Sequence, residues 1–267
     1  MTEHIDIEAC ADAVTAVVRA ASRRSLQWYR RPIAVENKEA GGFDPVTEAD
    51  RAVEDALRAS LGELFDDHTI FGEERGESGP TSRYRWTIDP IDGTRAFISG
   101  QPMWGTLCGL QVDDEPIAGW MHQPVLDETH VATPSGGSVI FGDPVTGERR
   151  PLEATATTEL GEAILFSTHP EMFAPGPQAD GFARLADAVR LVRYSGDCAN
   201  YGLLAAGHVD LVVENQLAPY DILALIPIVR ASGAVIAGPD GETPVEGGYV
   251  IAAATPELWE AAHRQLF

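Results

Sequence analysis

The chain has 267 residues, 44% hydrophobic and 22% charged, enough to bury a proper core in one large domain or two closely joined ones. Asp and Glu total 41 against 19 Lys and Arg, a formal charge of -22 that disfavours nucleic acid and anionic membranes. A small anion is not excluded, because divalent ions reverse the sign of a carboxylate-lined site.

Cys10, Cys108 and Cys198 form no Cys-x-x-Cys pair and meet no clustered histidines, so neither a disulfide framework nor a zinc site is indicated, and a reduced, cytoplasmic setting is expected. The start, MTEHIDIEACADAV, is acidic and lacks the basic and apolar regions of a secretory signal, and no stretch is long and apolar enough to span a bilayer. From residue 6 to 30, Ile7, Ala11, Val14, Val17, Val18, Ala21 and Leu26 recur at helical spacing, predicting one long amphipathic helix before Arg31-Pro32. Lys38 to Asp44 reads as a glycine-containing loop. Thr47 then caps a helix running to about Leu64, with Asp50 in its first turn. His68 to Phe71 reads as a strand, Glu74 to Ser82 as a mobile polar loop, and Arg85 to Ile88 as the next strand. Short apolar runs from Met103 to Phe141 predict an antiparallel meander, and Pro144 to Leu160 a hairpin or loop.

The second half alternates strand and helix: strand AILFS, a helix around Phe182 to Val189, strand VRYSG, a helix from Cys198 to Ala206 and strand VDLVVE. A helix from about Pro219 to Ser232, strands GAVIA and YVIAA, and a helix from Pro256 complete it. The expected fold is α+β and layered, a large antiparallel-rich sheet with a smaller α/β layer. Residues 1–143 are expected to form an N-terminal α+β half and residues 144–267 a C-terminal α/β half.

The chemistry is concentrated in WTIDPIDGTRAF. Asp89 and Asp92 are hard oxygen ligands of the kind Mg²⁺ prefers, and the N–H groups of Gly93 and Thr94 open a helix whose positive end favours an anion. Asp-Pro and Asp-Gly alone are ordinary turn dipeptides. What weighs against a mere turn is the strand-like RWTI before them and three further acidic elements: DPVTEAD with Asp44 and Asp50, GEE with Glu73 and Glu74, and VVENQLAPYDILA with Glu214 and Asp221. Lys38 is the only lysine among eighteen arginines and stands close to the DPVTEAD run, where a compact point charge has a use, although chance retention explains it equally well.

These four motifs, in this order, resemble the inositol monophosphatase superfamily of Mg²⁺-dependent, lithium-sensitive phosphomonoesterases, over nearly the whole chain. The resemblance implies two or three Mg²⁺ ions, with Mn²⁺ as a substitute. Glu73, Asp89 and the Ile91 carbonyl would hold the first; Asp92 and Asp221, sharing Asp89, the second; and Asp50 a weaker third. Two carboxylates about 4 Å apart repel by roughly 4 kcal/mol at an effective dielectric of about 20, so such a cluster needs cations or protons. The implied reaction is in-line attack by a metal-activated water that Thr94 and Glu73 orient or deprotonate, with no covalent phosphoenzyme. Phosphate would rest on the Gly93 and Thr94 N–H groups with Lys38 nearby, and homodimers are common among relatives.

RYSGDCANYGLLAAGHVDLVVENQLAPYDILAL and FISGQPMWGTL resemble most the bacterial histidinol-phosphate phosphatase branch, with Ser195 and Ala199-Asn200 as departures. Histidinol phosphate carries an ammonium and a protonatable imidazole, which Asp197 beside Glu214 would favour; Asp197 also reads as a helix N-cap. An inositol-1-phosphatase or a broader sugar or nucleotide phosphatase is the enzymatic alternative, and an inactive metal-binding regulator the other. His68, His122, His130, His169 and His208 read as structural or exposed, and Trp104, Tyr194 and Tyr201 as core.

Overall fold

The computed structural model describes residues 5–38 and 44–267, so most of the loop expected after Lys38 lies outside the described residues, as do the first four positions. Helix α1 (Ile7–Ser22) is capped by Asp6, whose Oδ1 accepts from the Ala9 N–H at 3.2 Å, and it buries Val14, Val18 and Ala21. The single helix expected from 6 to 30 is corrected here: the chain tightens into a 3₁₀ turn at Arg23–Gln27. There the buried Ser25 hydroxyl donates to the Ser22 carbonyl, a local side-chain bond that competes with the α pattern.

Strands β1 (Val35–Asn37) and β2 (Pro45–Thr47) pair antiparallel and lead into helix α2 (Glu48–Leu64). Its expected cap is present: Thr47 Oγ1 accepts from the Ala49 N–H at 3.1 Å, and Asp50 Oδ2 accepts from the Thr47 N–H at 2.8 Å. Strand β3 (Thr69–Gly72) follows. The segment expected as a loop from Glu74 to Ser82 contains strand β4 (Gly76–Ser78), hairpin-paired with β3. Strand β5 (Tyr84–Asp92), helix α3 (Thr94–Ser99) and strands β6 (Gly105–Val112), β7 (Glu115–Gln123), β8 (Glu128–Thr133), β9 (Gly136–Phe141) and β10 (Glu148–Pro151) complete an eight-stranded sheet. Its order is β10-β9-β8-β7-β6-β5-β3-β4, antiparallel throughout except for β3 beside β5. The meander is therefore as expected, and the first sheet continues past residue 143.

The second sheet has the order β12-β11-β13-β15-β14, built from β11 (Ile164–Ser167), β12 (Leu191–Tyr194), β13 (Leu211–Leu217), β14 (Val235–Ala237) and β15 (Gly248–Ala253). Helix α4 (Pro177–Ala188) starts earlier than expected, with Pro177 at its first turn. Helix α5 (Cys198–Ala205) matches its expected span. The helix expected from Pro219 to Ser232 is broken into α6 (Pro219–Ile222) and α7 (Leu225–Ala231). Pro227 supplies the reason, having no N–H to offer the Leu223 carbonyl. Helix α8 (Pro256–Leu266) ends the chain's last turn.

The buried residues give the layer order. Val14, Val18, Leu57 and Leu61 of α1 and α2 pack with Trp86, Ile88 and Leu110 on one face of the large sheet. Leu107 and Met121 on its other face pack with Leu204, Leu225 and Ile228 of α5 and α7, which also meet Val212 and Val250 of the small sheet. Leu165, Leu211 and Ile251 face outward against Leu185 of α4 and Leu258 of α8. Helix, sheet, helix, sheet and helix layers thus alternate, an α+β sandwich. The central layer sits very close to the large sheet: a Cβ at Gly119 would lie 1.9 Å from the Ala224 carbonyl oxygen, so only glycine fits. Among the described residues no helix is long and apolar enough to cross a membrane.

A buried ion pair ties the β3–β4 turn to α2. Glu54, fully buried, accepts from Arg58 Nε at 2.8 Å, from the Glu74 N–H at 2.7 Å and from the Arg75 N–H at 3.0 Å. Arg58 in turn reaches Ser78 Oγ at 2.6 Å and the Gly76 carbonyl. Glu54→Ala leaves a guanidinium and two N–H groups without their partner and is expected to cost about 3–5 kcal/mol in urea unfolding. A loss under about 1 kcal/mol would rank the pair with surface bridges and refute this.

Candidate active site

Asp89 and Asp92 are three residues apart, so in a regular strand their side chains would point to opposite faces. The pairing with β6 shows how they come together: Asp89 lies opposite Leu107 and Asp92 opposite Gly105, so β5 carries one extra residue there. This bulge brings the two carboxylates round to the same side. The Pro90 carbonyl, displaced from the ladder, accepts from the buried Thr106 hydroxyl at 2.7 Å, and the Ile91 carbonyl accepts from Thr94 Oγ1 at 3.0 Å. Gly93 then takes a left-handed conformation, φ 86°, to start α3.

Asp221 arrives from the first turn of α6, its Oδ2 accepting from the Ala218 N–H at 2.7 Å. Asp89, Asp92 and Asp221 each offer a carboxylate oxygen within 4.8 Å of the others. Asp89 Oδ1 is buried without a hydrogen-bond partner. Burial foremost, and then neighbouring carboxylates, raise Asp89 and Asp92 well above the ordinary carboxylate range, and burial pushes Asp221 up to about 6. Three convergent acids and an orphaned buried oxygen make a donor set that fits a hard divalent cation.

Glu73 follows β3, its N–H bonded to the Ile88 carbonyl at 3.2 Å. Its carboxylate stands outside the group of three and is held by Lys38, whose Nζ lies 2.8 Å from Glu73 and 2.6 Å from Glu74. Burial nevertheless pushes Glu73 up to about 7, against the lowering effect of Lys38. Partial burial works against the Lys38 ammonium, yet its two carboxylate partners outweigh that and raise its pKa. The lone lysine is therefore an ion-pair partner of the acids. Asp50 is buried under the α2 cap and pushed up to about 6 by burial; its Oδ1 lies 3.4 Å from the Thr94 hydroxyl.

A cavity of about 360 Å³ opens over these groups. Its walls bring Gly93 and Thr94 together with Asp44, Glu73, Asp89, Asp92, Asp197, Glu214 and Asp221, seven carboxylates against Arg95 and His169. Neither Lys38 nor Asp50 lines it. Asp197 stands at the N-cap position of α5 but its side chain makes no capping bond, so the N-cap reading is corrected. Asp92 serves there instead, Oδ1 accepting from the Cys198 N–H at 2.8 Å. Burial, then Glu214 and Asp221, push Asp197 up to about 7. Glu214 is buried at the floor, accepting from Thr168 Oγ1 at 2.6 Å, the Thr168 N–H at 3.1 Å and Asn200 Nδ2 at 3.2 Å.

Sequence reading missed three residues of this wall. Arg95 and His169 face each other at 3.4 Å, and Thr168 follows β11; the run STHPEMF that holds His169 and Thr168 carries no local signal of such a role. Tyr201, read as core, is buried and lines the cavity, whereas Trp104 packs edge-on against Phe97 at 4.9 Å and Tyr194 is exposed.

Comparison with known proteins places this geometry. A family model described as the inositol monophosphatase family matches residues 4–266. The chloroplastic bifunctional phosphatase IMPL2 of Arabidopsis thaliana is 34% identical over 85% of this chain, which spans only 62% of that longer protein. The histidinol-phosphatase of Mycobacterium tuberculosis is 36% identical over 78% of this chain and 79% of its own length. Among solved structures, an inositol monophosphatase from Zymomonas mobilis superposes with a TM-score of 0.84 at 33% identity, over 98% of this chain and 99% of that one.

Proposed function

The chain belongs to the inositol monophosphatase family of phosphatases, and from that premise we propose that it hydrolyses histidinol phosphate to histidinol and phosphate in a Mg²⁺-dependent reaction. The observation that carries the substrate reading is the pairing of Asp197 with Glu214 in the cavity wall, where the two acids repel each other and Arg95 is the neighbouring cation that works against the rise at Asp197, together with a bond from the Gly196 backbone. A neutral polyol does nothing to relieve that repulsion, whereas the ammonium and imidazole of histidinol do. The relatives named histidinol-phosphatase support the same reading.

In the proposed mechanism Glu73, Asp89, Asp92, Asp221 and the Ile91 carbonyl would hold two Mg²⁺ ions, and Asp50 would serve a weaker third. Bound Mg²⁺ supplies charge neutralisation at the phosphoryl group and acidifies water. Gly93 and Thr94 present N–H groups to the phosphate at the start of α3. Thr94 Oγ1, between the Ile91 carbonyl and Asp50, orients the attacking water. Glu73, held by Lys38 at 2.8 Å, would orient or deprotonate that water. Lys38, outside the cavity wall, balances Glu73 and Glu74 and is not a phosphate contact. Asp197 and Glu214 hold the cationic leaving group.

Phosphate release from histidinol phosphate and inositol 1-phosphate at matched concentrations tests the substrate. A kcat/KM for the inositol ester equal to or above that for histidinol phosphate would overturn the reading in favour of the inositol alternative, which the Zymomonas mobilis likeness favours. Asp197→Asn is expected to lower the preference for histidinol phosphate about tenfold or more, the worth of a charge-assisted bond of about 1.5–3 kcal/mol. An unchanged ratio in that variant would remove Asp197 from the substrate site.

A further inference from the structure

Three consecutive residues at the mouth of α5 adopt positive φ: Ser195 at 77°, Gly196 at 135° and Asp197 at 47°. Only the middle one is glycine, and a Cβ there would lie 2.1 Å from Asn200 Oδ1. Two non-glycine residues in this region persist only where surrounding bonds hold them. Beyond the Ser195 hydroxyl's bond to Gln101 Oε1 at 3.1 Å, the backbone N–H groups of Ser195 and Asp197 are held by one residue, Thr168, just after β11. The Thr168 carbonyl accepts from the Ser195 N–H at 2.8 Å, and Thr168 Oγ1 accepts from the Asp197 N–H at 3.1 Å. The same Oγ1 donates to Glu214 Oε1 at 2.6 Å, and the Thr168 N–H donates to that oxygen at 3.1 Å.

Every polar atom of Thr168 is thus spent on the two segments that carry the leaving-group acids. We propose that Thr168 is a positioning residue for substrate selection, its hydroxyl locking Asp197 and Glu214 into one cation-binding pair. The inference rests on the reading of those two acids as leaving-group contacts. With the hydroxyl removed, the Asp197 N–H loses its acceptor, the strained turn is released toward ordinary φ, and Glu214 keeps fewer of the donors that fix its orientation. Thr168 makes no bond to Asp89 or Asp92, and Asp92 keeps its own bond to the Cys198 N–H at 2.8 Å, so the loss is expected to fall on leaving-group binding more than on phosphoryl transfer.

The test compares Thr168→Val, which replaces the hydroxyl with a methyl of the same shape, and Thr168→Ser, which restores it. Each is assayed with Mg²⁺ on histidinol phosphate and on p-nitrophenyl phosphate, whose leaving group carries no cation. Thr168→Val is expected to raise KM for histidinol phosphate about tenfold, the loss of one charge-assisted contact, with kcat little changed. Turnover of p-nitrophenyl phosphate is expected to fall much less than that of histidinol phosphate, and a melting temperature near the wild-type value reports that the variant is folded. Thr168→Ser keeps the wild-type preference. An unchanged substrate ratio in Thr168→Val, or an equal loss on both esters, overturns the positioning role while leaving the substrate reading intact. A wild-type protein with no preference for histidinol phosphate overturns both, and the wild-type ratio tells the two failures apart.

Discussion

Asp92→Asn is expected to lower kcat by about a thousandfold or more, the scale on which removing one preorganised electrostatic group acts, while the metal-free protein becomes more stable. The two halves of this result come from the same side chain. Asp92 sits half-buried beside Asp89, Asp221 and Asp197, and desolvation together with the latter two raises its pKa well above the usual range. An amide removes one negative charge from that group, which relieves the repulsion but takes away an anionic ligand for Mg²⁺. It does not take away the acceptor that anchors α5, because Asn Oδ1 still receives the Cys198 N–H where Asp92 Oδ1 does now at 2.8 Å. Geometry is therefore conserved and charge alone is changed. The measurements are phosphate release at saturating Mg²⁺ and the melting temperature in a chelator. Activity within tenfold of wild type would show that the cluster is not the catalytic metal site.

What was legible in the sequence was local. Asp89 and Asp92 announce themselves because hard acids, a glycine and a helix-opening threonine are adjacent, and Thr47 with Asp50 reads as a capping box because the box is four residues long. The meander was legible because antiparallel neighbours follow one another in the chain. The failures share a cause in sequence distance. The turn after Glu73 has a loop's polar composition, yet it is a hairpin fastened by Glu54 and Arg58 from a helix about twenty residues earlier. Thr168 has ordinary neighbours and gains its role from partners 29 and 46 positions away. The bulge in β5 is not visible in TIDPID either; only the pairing with β6 shows that Asp89 and Asp92 share a side. The break between α6 and α7 was within reach, since Pro227 stands in the expected helix.

The melting temperature of the metal-free protein is expected to fall as pH rises from 5 to 8, with Mg²⁺ abolishing the fall. Asp50 and Asp221 titrate at about 6 in the folded chain against 3.8 for the free side chain, and burial is the main cause for both. Glu73 lies at about 7 against 4.5, and Asp197 at about 7 against 3.8, again chiefly through burial. A raised folded pKa means that between those values the native state binds more protons than the unfolded one. Stability is then full below about pH 4 as far as these groups are concerned, and it is lost as pH rises through 6 and 7, where the native cluster must ionise. From pH 5 upward the four acids lose about six units' worth of stability, while His122 and His130, pushed down by burial to about 3 and about 4 from 6.5, return about three; at about 1.4 kcal/mol per unit the net loss is about 4 kcal/mol, which lowers the melting temperature by roughly 10 °C for a chain of this size. Lys38, ion-paired with Glu73 and with its pKa raised, stays charged throughout and does not offset the trend. Mg²⁺ binds the ionised carboxylates of the folded state, so its stabilisation grows with pH and is small at pH 5. Thermal unfolding in chelator and in Mg²⁺ at both pH values checks this. A flat metal-free profile, or an equal Mg²⁺ shift at pH 5 and pH 8, would mean that the buried acids are not the ion's ligands.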